Sequence, residues 1–454
     1  MESELRGFNT KSSKTPQPDP THDDASSRDD RPLLTSASNV LELEKKCAAY
    51  VRNDVYGAMG RGELLLMEKL QLGIAFVTLL PLRTILVMTV LVVYYLICRI
   101  CTLFSVPNHG EGQEDYAHLG GWRRTVILRS GRFLSKTLLF LVGFYRINET
   151  HNGSKNSQEN SKTAGTHQSN EHLHKTVYLL SIDCIVSCSN LGTLQPDEPE
   201  QRPGAIVSNH ISYLDVLYHM SSSFPSFVAK RSVANIPLVG LISKCLGCVY
   251  VQRESKSSDF KGVSGVVTDR VRKAHQDEYA PKILLFPVTV VCFMFISMTE
   301  GTTTNGDYLI SFKTGAFLAR APVVPVILKY PYQRFSPAWE SVTGMRHVVF
   351  LLCQFVNHME VKWLPVYYPS QLEKDDPKLY ANNVRRLMAS EGNLILSDIG
   401  LAEKRIYLAT LNGVFFGLGC SAAALMRCVE SPSSSKVSNM DECGEFKSRN
   451  SSMS

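Results

Sequence analysis

The chain has 454 residues, of which 44% are hydrophobic and 20% are charged, and its formal net charge is +6. This composition allows a sizeable buried core. The mild basic excess gives no reason to expect a nucleic-acid partner, but it suits a protein that lies against anionic lipid headgroups.

The amino-terminal part contains the most apolar stretch of the chain. Residues 1–45 are polar, have no apolar run of the signal-peptide type, and are predicted to be a disordered tail. Residues 72–106 are almost entirely apolar, and only Arg83 and Arg99 carry charge there. A bilayer span needs about 20 residues, so the run fits one span whose arginines reach opposite interfaces. Pro81 could equally divide the run into a re-entrant hairpin, and both alternatives stay open.

A second apolar stretch, residues 133–144, has the length of an interfacial helix rather than that of a span. Residues 46–148 are therefore predicted to form membrane-anchoring helices. The polar residues that follow, 149–203, are predicted to be a linker.

Short apolar runs alternate with helical patterns between residues 204 and 400. This alternation predicts an α/β domain with a mainly parallel sheet. Residues 401–454 are predicted to be a carboxy-terminal tail. The strand-like runs are 205–207, 227–229, 248–252, 282–286 and 323–328, and the helix-like runs are 213–221, 238–246, 262–275 and 377–389.

The twelve cysteines follow no disulfide-framework spacing. Cys245 and Cys248 have no second pair at zinc spacing, so they are interpreted as small apolar packing residues. The catalytic half is expected to face a reducing compartment, and no metal site is expected.

A histidine and an aspartate follow the first strand-like run. His210 comes shortly after residues 205–207, and Asp215 lies five residues further on. An imidazole takes up a proton near neutral pH, and a carboxylate can fix its tautomer and stabilise the imidazolium. At about 100° per residue, positions five apart do not share a helical face. The two residues can meet only if His210 precedes a helix and Asp215 lies in its first turns, where Ser212 could act as the cap.

Three further segments follow this one in an order that resembles a known family. They are an apolar strand that ends in Arg253, a loop rich in glycine and hydroxyl groups at 300–306, and a strand with prolines at its start at 321–328. Together with the His210 segment they resemble the four blocks of the glycerolipid (PlsC-type) acyltransferase family, over about residues 200–330. Flanking residues such as 364–371 resemble its plant lysophosphatidylethanolamine acyltransferase branch.

The resemblance implies acylation of the free hydroxyl of a lysophospholipid, with acyl-CoA as a co-substrate and no cofactor. It implies that His210 takes the proton from the attacking hydroxyl and that Asp215 holds the ring. It also implies an acceptor site around the glycerol phosphate, where a guanidinium can grip phosphate oxygens. The residues assigned to this site are Arg253, Glu300, Gly301, Thr302 and Thr303.

Thr303 departs from the family members that use lysophosphatidic acid or glycerol phosphate, which have arginine at this position. The loss of a cation suits a phosphate that is already esterified to a headgroup, so lysophosphatidylethanolamine is the favoured acceptor. By the same resemblance, the protein is expected in the endoplasmic reticulum membrane with its catalytic domain in the cytosol. The sequence does not fix the oligomeric state.

Twelve uncharged residues, 288–299, interrupt a block that is continuous in the family. This insert is interpreted as a retained intron or a mispredicted exon boundary. If the protein contains it, it could displace Glu300 from His210, so the alternative function is a catalytically disabled membrane- or lipid-binding isoform. A metal-dependent hydrolase that uses His210 and Asp215 is a weaker hypothesis, because neither His219 nor His275 stands at ligand spacing.

Overall fold

The structure of the chain is a computed structural model, and it describes residues 42–110, 113–152, 172–178, 202–251, 259–277, 282–286 and 303–411. The α-helices are α1 (Leu66–Val77), α2 (Leu79–Cys101), α3 (Gly121–Leu141), α4 (Leu214–Ser222), α5 (Val239–Cys245), α6 (Asp259–Gln276), α7 (Gly344–Cys353), α8 (Gln371–Asp375), α9 (Pro377–Gly392) and α10 (Leu401–Leu411). The strands are β1 (Asn108–Gly110), β2 (Gln113–Asp115), β3 (Arg146–Asn152), β4 (His172–Tyr178), β5 (Ala205–Ser208), β6 (Ser226–Lys230), β7 (Val249–Val251), β8 (Ile283–Leu285), β9 (Tyr308–Ile310), β10 (Val323–Lys329), β11 (Met359–Trp363) and β12 (Ile395–Ser397). Short 3-10 helices lie at Ala48–Tyr50, Ala58–Gly60, Arg231–Asn235 and Thr314–Ala316.

An eight-stranded sheet forms the centre of the molecule, in the order β4-β3-β11-β10-β5-β8-β6-β7. Neighbouring strands run parallel, except where β10 meets β11 and where β3 meets β4. All four residues of β5 are buried, as expected for a parallel strand covered on both faces. This confirms the predicted α/β fold with a mainly parallel sheet.

Successive residues of β5 face two different cores. Ile206 packs with residues of α2, α3 and α4, whereas Ala205 and Val207 pack with residues of α6 and α9. Side chains alternate between the faces of a strand, so one short apolar strand holds together both helical layers.

Part of the predicted linker at 149–203 belongs to the sheet instead. β3 pairs in parallel with β11, and β4 pairs antiparallel with β3. These strands lie at one end of the sheet and are polar in sequence, so they lack the apolar signal by which a strand is recognised. The described start of the predicted tail is also ordered, because residues 401–411 form α10.

The apolar run at 72–106 forms two helices that meet at Thr78 rather than at Pro81. Pro81 lies in the first turn of α2, where a backbone N–H has no helical acceptor and a proline is tolerated. Arg83 does not reach outwards as predicted. It is buried, and its guanidinium donates to the carbonyl oxygens of Leu352 (2.9 Å), Gln354 and Phe355 (3.3 Å) near the end of α7.

The remaining face of the helix pair is apolar and exposed. Among the described residues, α2 is the one helix that is long and apolar enough to cross a membrane. Its exposed apolar side chains include Leu82, Ile85, Val92, Leu96 and Ile100. An exposed apolar face of this extent indicates a surface that contacts something other than water.

α3 contains most of the stretch 133–144 that was predicted as an interfacial helix. The structure extends this helix back to Gly121 and packs it between α2 and α4. Its buried residues Ile127, Gly131, Ser135 and Leu139 recur every four positions and form one stripe. Gly131 allows α3 to pack closely against Phe224, because a Cβ at this position would lie 2.3 Å from the Phe224 ring.

Candidate active site

His210 and Asp215 meet at the carboxyl end of β5, which lies inside the sheet. His210 lies in the turn between β5 and α4, and Asp215 is the second residue of α4. The His210 Nδ1 atom lies 2.8 Å from Asp215 Oδ2. This is the arrangement that the five-residue spacing requires.

The Asp215 carboxylate is buried and surrounded by donors. Besides the His210 ring, its Oδ2 atom accepts hydrogen bonds from the backbone N–H groups of Ile211 (2.7 Å) and Ser212 (3.0 Å). The Tyr330 hydroxyl donates to Oδ1 at 2.5 Å. These bonds offset the cost of burying a carboxylate. Asp215 therefore ties down the turn, and the predicted capping role of Ser212 is wrong, because no side chain caps α4.

The hydrogen bonds fix the protonation pattern of the site. An anionic carboxylate only accepts, so the Nδ1 atom of neutral His210 carries the proton and Nε2 keeps a lone pair. Burial, and next the charge of Asp215, raise the pKa of Tyr330 well above its ordinary value, so its hydroxyl remains a donor. The site thus holds one ring nitrogen ready to accept a proton.

Two further contacts hold the histidine in place. The Asn209 side chain forms two hydrogen bonds with the backbone of Leu328 in β10, one to its carbonyl oxygen (2.9 Å) and one from its N–H group (2.8 Å). It thereby continues the pairing of β5 and β10 beyond the strand end. The His210 ring stacks on Phe286, with centroids 4.2 Å apart. His210 is largely buried, with 8% of the residue exposed.

The loop at 300–306, which we call the acceptor loop, comes next to His210. The Thr304 N–H group donates to the His210 carbonyl oxygen at 3.1 Å. Of the predicted acceptor residues, only Thr303 lies in the described part of this loop. Arg253, Glu300, Gly301 and Thr302 lie outside the described residues, as does the whole insert 288–299.

Thr303 points into the protein. It is 1% exposed, and its hydroxyl donates to the Trp339 carbonyl oxygen. The Lys404 ammonium group, from α10, donates to the Thr303 carbonyl oxygen at 2.9 Å and to its hydroxyl at 3.2 Å. Sequence reasoning missed Lys404, because it lies about a hundred residues away in what was predicted to be a tail.

A buried ionic cluster lies beside this lysine. Arg52 pairs with Glu340 at 2.8 Å and with Asp54, and all three side chains are buried. Burial raises the pKa of Glu340, although the Arg52 charge opposes the shift. Arg52 precedes the apolar helices in sequence, and no motif marked it as part of this region.

His219 lies one helical turn beyond Asp215 on α4 and is fully buried. Burial lowers its pKa to about 3, so the ring is neutral at physiological pH. Neither ring nitrogen has a hydrogen-bond partner in the part of the chain that the structure describes. His275 is elsewhere, next to the Arg202 carbonyl oxygen. Over the described ranges, no group of three or more His, Cys, Asp or Glu residues could hold a metal ion.

A small apolar cavity of about 40 Å³ lies between the helix pair and the catalytic domain. Its walls come from α2, α3, α4 and α5, and they include Tyr94, Leu138, Val216, Leu217 and Ile242. Val216 and Leu217 directly follow Asp215, so the cavity begins close to the histidine–aspartate pair.

Comparison with known proteins gives consistent matches. The family model described as Acyltransferase matches residues 188–329. The lysophospholipid acyltransferase LPEAT1 of Arabidopsis thaliana is 57% identical over 428 residues, which cover 91% of this chain and 97% of that protein. The lysophosphatidylcholine acyltransferase of Drosophila melanogaster is 38% identical over 206 residues, or 45% of this chain and 36% of that protein.

Among solved structures, the 1-acyl-sn-glycerophosphate (LPA) acyltransferase PlsC from Thermotoga maritima matches 72% of this chain and 97% of that chain, with a TM-score of 0.39 and 13% identity. The Arabidopsis relative matches along nearly the whole of both chains. The chain therefore belongs to the glycerolipid (PlsC-type) acyltransferase family, and it is an acyltransferase.

Proposed function

We propose that this enzyme transfers an acyl group from acyl-CoA to the free hydroxyl of a lysophospholipid. The observation that carries the proposal is the 2.8 Å contact between His210 Nδ1 and Asp215 Oδ2, which leaves His210 Nε2 as a base. Lysophospholipid acylation is also the activity named for the Arabidopsis relative.

The reaction needs one base and no covalent enzyme intermediate. His210 Nε2 takes the proton of the acceptor hydroxyl while its oxygen attacks the thioester carbonyl carbon. Asp215 stabilises the imidazolium that forms. Collapse of the tetrahedral intermediate breaks the carbon–sulfur bond, and the departing thiolate takes the proton from His210. The products are the diacyl phospholipid and free CoA.

The favoured acceptor is lysophosphatidylethanolamine. Thr303 supplies no cation, which suits a phosphodiester better than the more highly charged phosphate of lysophosphatidic acid. Arg253, Glu300, Gly301 and Thr302 are proposed to surround the glycerol phosphate.

The protein is proposed to act at the endoplasmic reticulum membrane, with its catalytic domain in the cytosol. Of the two membrane alternatives, the re-entrant arrangement has more support. Arg83, near the start of α2, bonds to the end of α7, and Tyr94, in its second half, lines the cavity against α5. A helix held along the catalytic domain in this way places its apolar face in one leaflet rather than across the bilayer.

The first experiment measures acyl transfer by washed membranes from cells that express the chain. Labelled oleoyl-CoA and a panel of lysophospholipids are supplied. We expect the highest rate with lysophosphatidylethanolamine, and His210→Ala should lower it at least ~10³-fold, because no other group replaces the base. His358→Ala, which changes an exposed histidine, is the matched control.

Two outcomes would contradict the proposal. If His210→Ala and the unchanged chain transfer equally, His210 is not the base. If the unchanged chain is present in the membrane and transfers to no acceptor, the disabled isoform becomes the better description. Restored transfer after removal of residues 288–299 would then identify the insert as the cause.

A further inference from the structure

A buried lysine, Lys404, holds the acceptor loop at Thr303. Lys404 is 4% exposed, and its ammonium group lies 5.1 Å from the centroid of the Tyr50 ring. It donates to both the carbonyl oxygen and the hydroxyl of Thr303. Burial lowers the pKa of Lys404 to about 7, and its amine can donate to Thr303 in either protonation state.

The bonds of Thr303 lead on to the histidine. Its hydroxyl donates to the Trp339 carbonyl oxygen, and the Trp339 N–H group donates to the Ile211 carbonyl oxygen at 2.9 Å. Thr304 is bonded directly to His210. Lys404 is therefore joined to the backbone carbonyl groups of His210 and Ile211 by a short series of hydrogen bonds, although it lies in a different part of the chain.

The same loop is also held by the segment that precedes the membrane helices. The Asn305 amide donates to the carbonyl oxygens of Ala48 (2.9 Å) and Val51 (3.0 Å). Tyr50, between them, packs against Tyr407 of α10 and donates to the Gly400 carbonyl oxygen at 3.1 Å. The end of the acceptor loop thus lies between two segments that are more than 300 residues apart in sequence.

We propose that Lys404 is a positioning residue of the acceptor site, which fixes the acceptor loop through Thr303 and thereby sets the affinity for the lysophospholipid. This rests on the proposed function for the identity of the acceptor. Lys404 does not touch the substrate in this view. It acts on Thr303, whose hydroxyl is used by two protein partners and is turned away from solvent.

The test is the kinetics of Lys404→Met in washed membranes. Methionine has a similar length and no donor, so both bonds to Thr303 are lost while the site stays filled. We expect the KM for lysophosphatidylethanolamine to rise about 10- to 100-fold, the range for two lost buried hydrogen bonds. The KM for oleoyl-CoA should change less than twofold.

Two companion variants separate positioning from a general structural role. Lys404→Gln keeps an N–H donor without the charge, so it should recover a large part of the acceptor affinity. Arg405→Met alters the neighbouring exposed residue of α10 and should leave both KM values unchanged. If Lys404→Met lowers kcat alone, or raises both KM values equally, the inference is wrong.

A double-mutant cycle with Thr303→Val gives a second reading. Valine removes the hydroxyl but keeps the carbonyl oxygen, so the single variant should raise the acceptor KM severalfold. Both changes interrupt the contact between Lys404 and Thr303, and Thr303→Val also removes the bond to Trp339, so the acceptor KM of the double variant should lie within about twofold of that of the worse single variant. If the KM increases of the two single variants multiply in the double variant, the two residues act independently and the inference is wrong.

Failure of this inference is distinguishable from failure of the proposed function. The His210→Ala comparison decides whether the unchanged chain is an acyltransferase for lysophospholipids. The KM values of the Lys404 variants are compared only as ratios to the KM values of that unchanged chain. Protein level and the thermal unfolding midpoint in detergent show whether each variant is folded, and the cycle with Thr303→Val retains its meaning even if Lys404→Met is less stable.

Discussion

Asp215 shows how a single residue serves both the local structure and the chemistry. Its carboxylate accepts from two backbone N–H groups, from the Tyr330 hydroxyl and from the His210 ring. The first two bonds shape the turn before α4, and the last selects the tautomer of His210, the proposed base. A substitution that keeps the size of this side chain but removes its charge should therefore still lower the rate of acyl transfer strongly.

Asp215→Asn should lower kcat by about 10³-fold or more, because an amide can present its NH₂ group to His210 and favour the wrong tautomer. The acceptor KM should change little. Steady-state acyl transfer at varied lysophosphatidylethanolamine measures both constants.

Tyr330→Phe removes only one of the four donors to Asp215 and should lower kcat roughly tenfold. Equal losses in the two variants would contradict this account of Asp215.

Two buried histidines make the stability of the fold sensitive to acid. Burial lowers the pKa of both His219 and His347 to about 3. Below about pH 6.5 the unfolded chain takes up protons that the folded chain does not, so stability falls as the pH is lowered. Each histidine should contribute about 1 to 2 kcal/mol of that loss by pH 5.5. Thermal unfolding of detergent-solubilised protein at pH 7.5 and 5.5 measures it.

The two histidines should respond differently to replacement. His347 has partners on both sides, the Tyr213 hydroxyl at 3.2 Å and the Ala338 carbonyl oxygen at 3.0 Å. His347→Leu should therefore destabilise at every pH. His219 has no hydrogen-bond partner over the described ranges, so His219→Leu should mainly reduce the acid sensitivity. An unchanged dependence on pH in that variant would show that His219 titrates normally.

At the scale of elements, the α1–α2 pair is the feature that best predicts where the protein lies. Its inner face carries Arg83, Tyr94 and Cys98, which are buried against α3 and the catalytic domain. Exposed Phe355 and Val356 follow α7 next to the carbonyl groups that Arg83 binds. The apolar surface thus continues from α2 onto a loop of the catalytic domain itself.

Adding charge to this surface should release the protein from membranes. The variant Ile85→Asp with Phe355→Asp changes two exposed apolar positions, one on α2 and one on the loop after α7. A carboxylate in the bilayer core costs roughly 2 kcal/mol or more, so a larger fraction should wash off with high salt or carbonate. Asn382→Asp, on an exposed part of α9, is the control for charge alone. If the double variant and Asn382→Asp remain in the membrane fraction to the same extent, this surface is not the membrane contact.

At the scale of the whole molecule, the segment before the membrane helices is part of the catalytic fold. Arg52 donates to the carbonyl oxygens of Ser336 (2.9 Å) and Ala338 (3.2 Å), besides its pairs with Asp54 and Glu340. Arg52→Met would leave two buried carboxylates without their cation. It should destabilise the protein by about 3 to 5 kcal/mol, visible as a lower unfolding midpoint.

Arg334→Met is the matched control for that loss. Arg334 is half exposed, and its ion pair with Glu68 is expected to contribute little to the stability of the fold. If both arginine variants unfold at the same temperature, the buried cluster does not contribute to stability as described.

The parts of the fold that could be predicted are those with a local signal. The alternation of apolar runs and helical patterns predicted the parallel sheet, and the five-residue spacing stated how His210 and Asp215 could meet. β3 and β4 were missed because strands rich in polar residues look like a linker in sequence. Arg52 and Lys404 were missed because the sequence around a single charged residue does not show which distant residue it will contact in the fold.

The meeting of residues 48–51, the acceptor loop and Lys404 has a consequence for how the protein is made. The membrane helices and His210 leave the ribosome long before residue 404, so the acceptor loop lacks one of its two supports until synthesis is nearly finished. A chain that stops before α10 would carry the histidine, the aspartate and the apolar helices, but without Lys404 it should bind its lysophospholipid more weakly. Alternative transcripts or premature stop codons that end the chain before residue 401 would then yield a protein that keeps the apolar helices and competes for bilayer surface while it turns over substrate poorly.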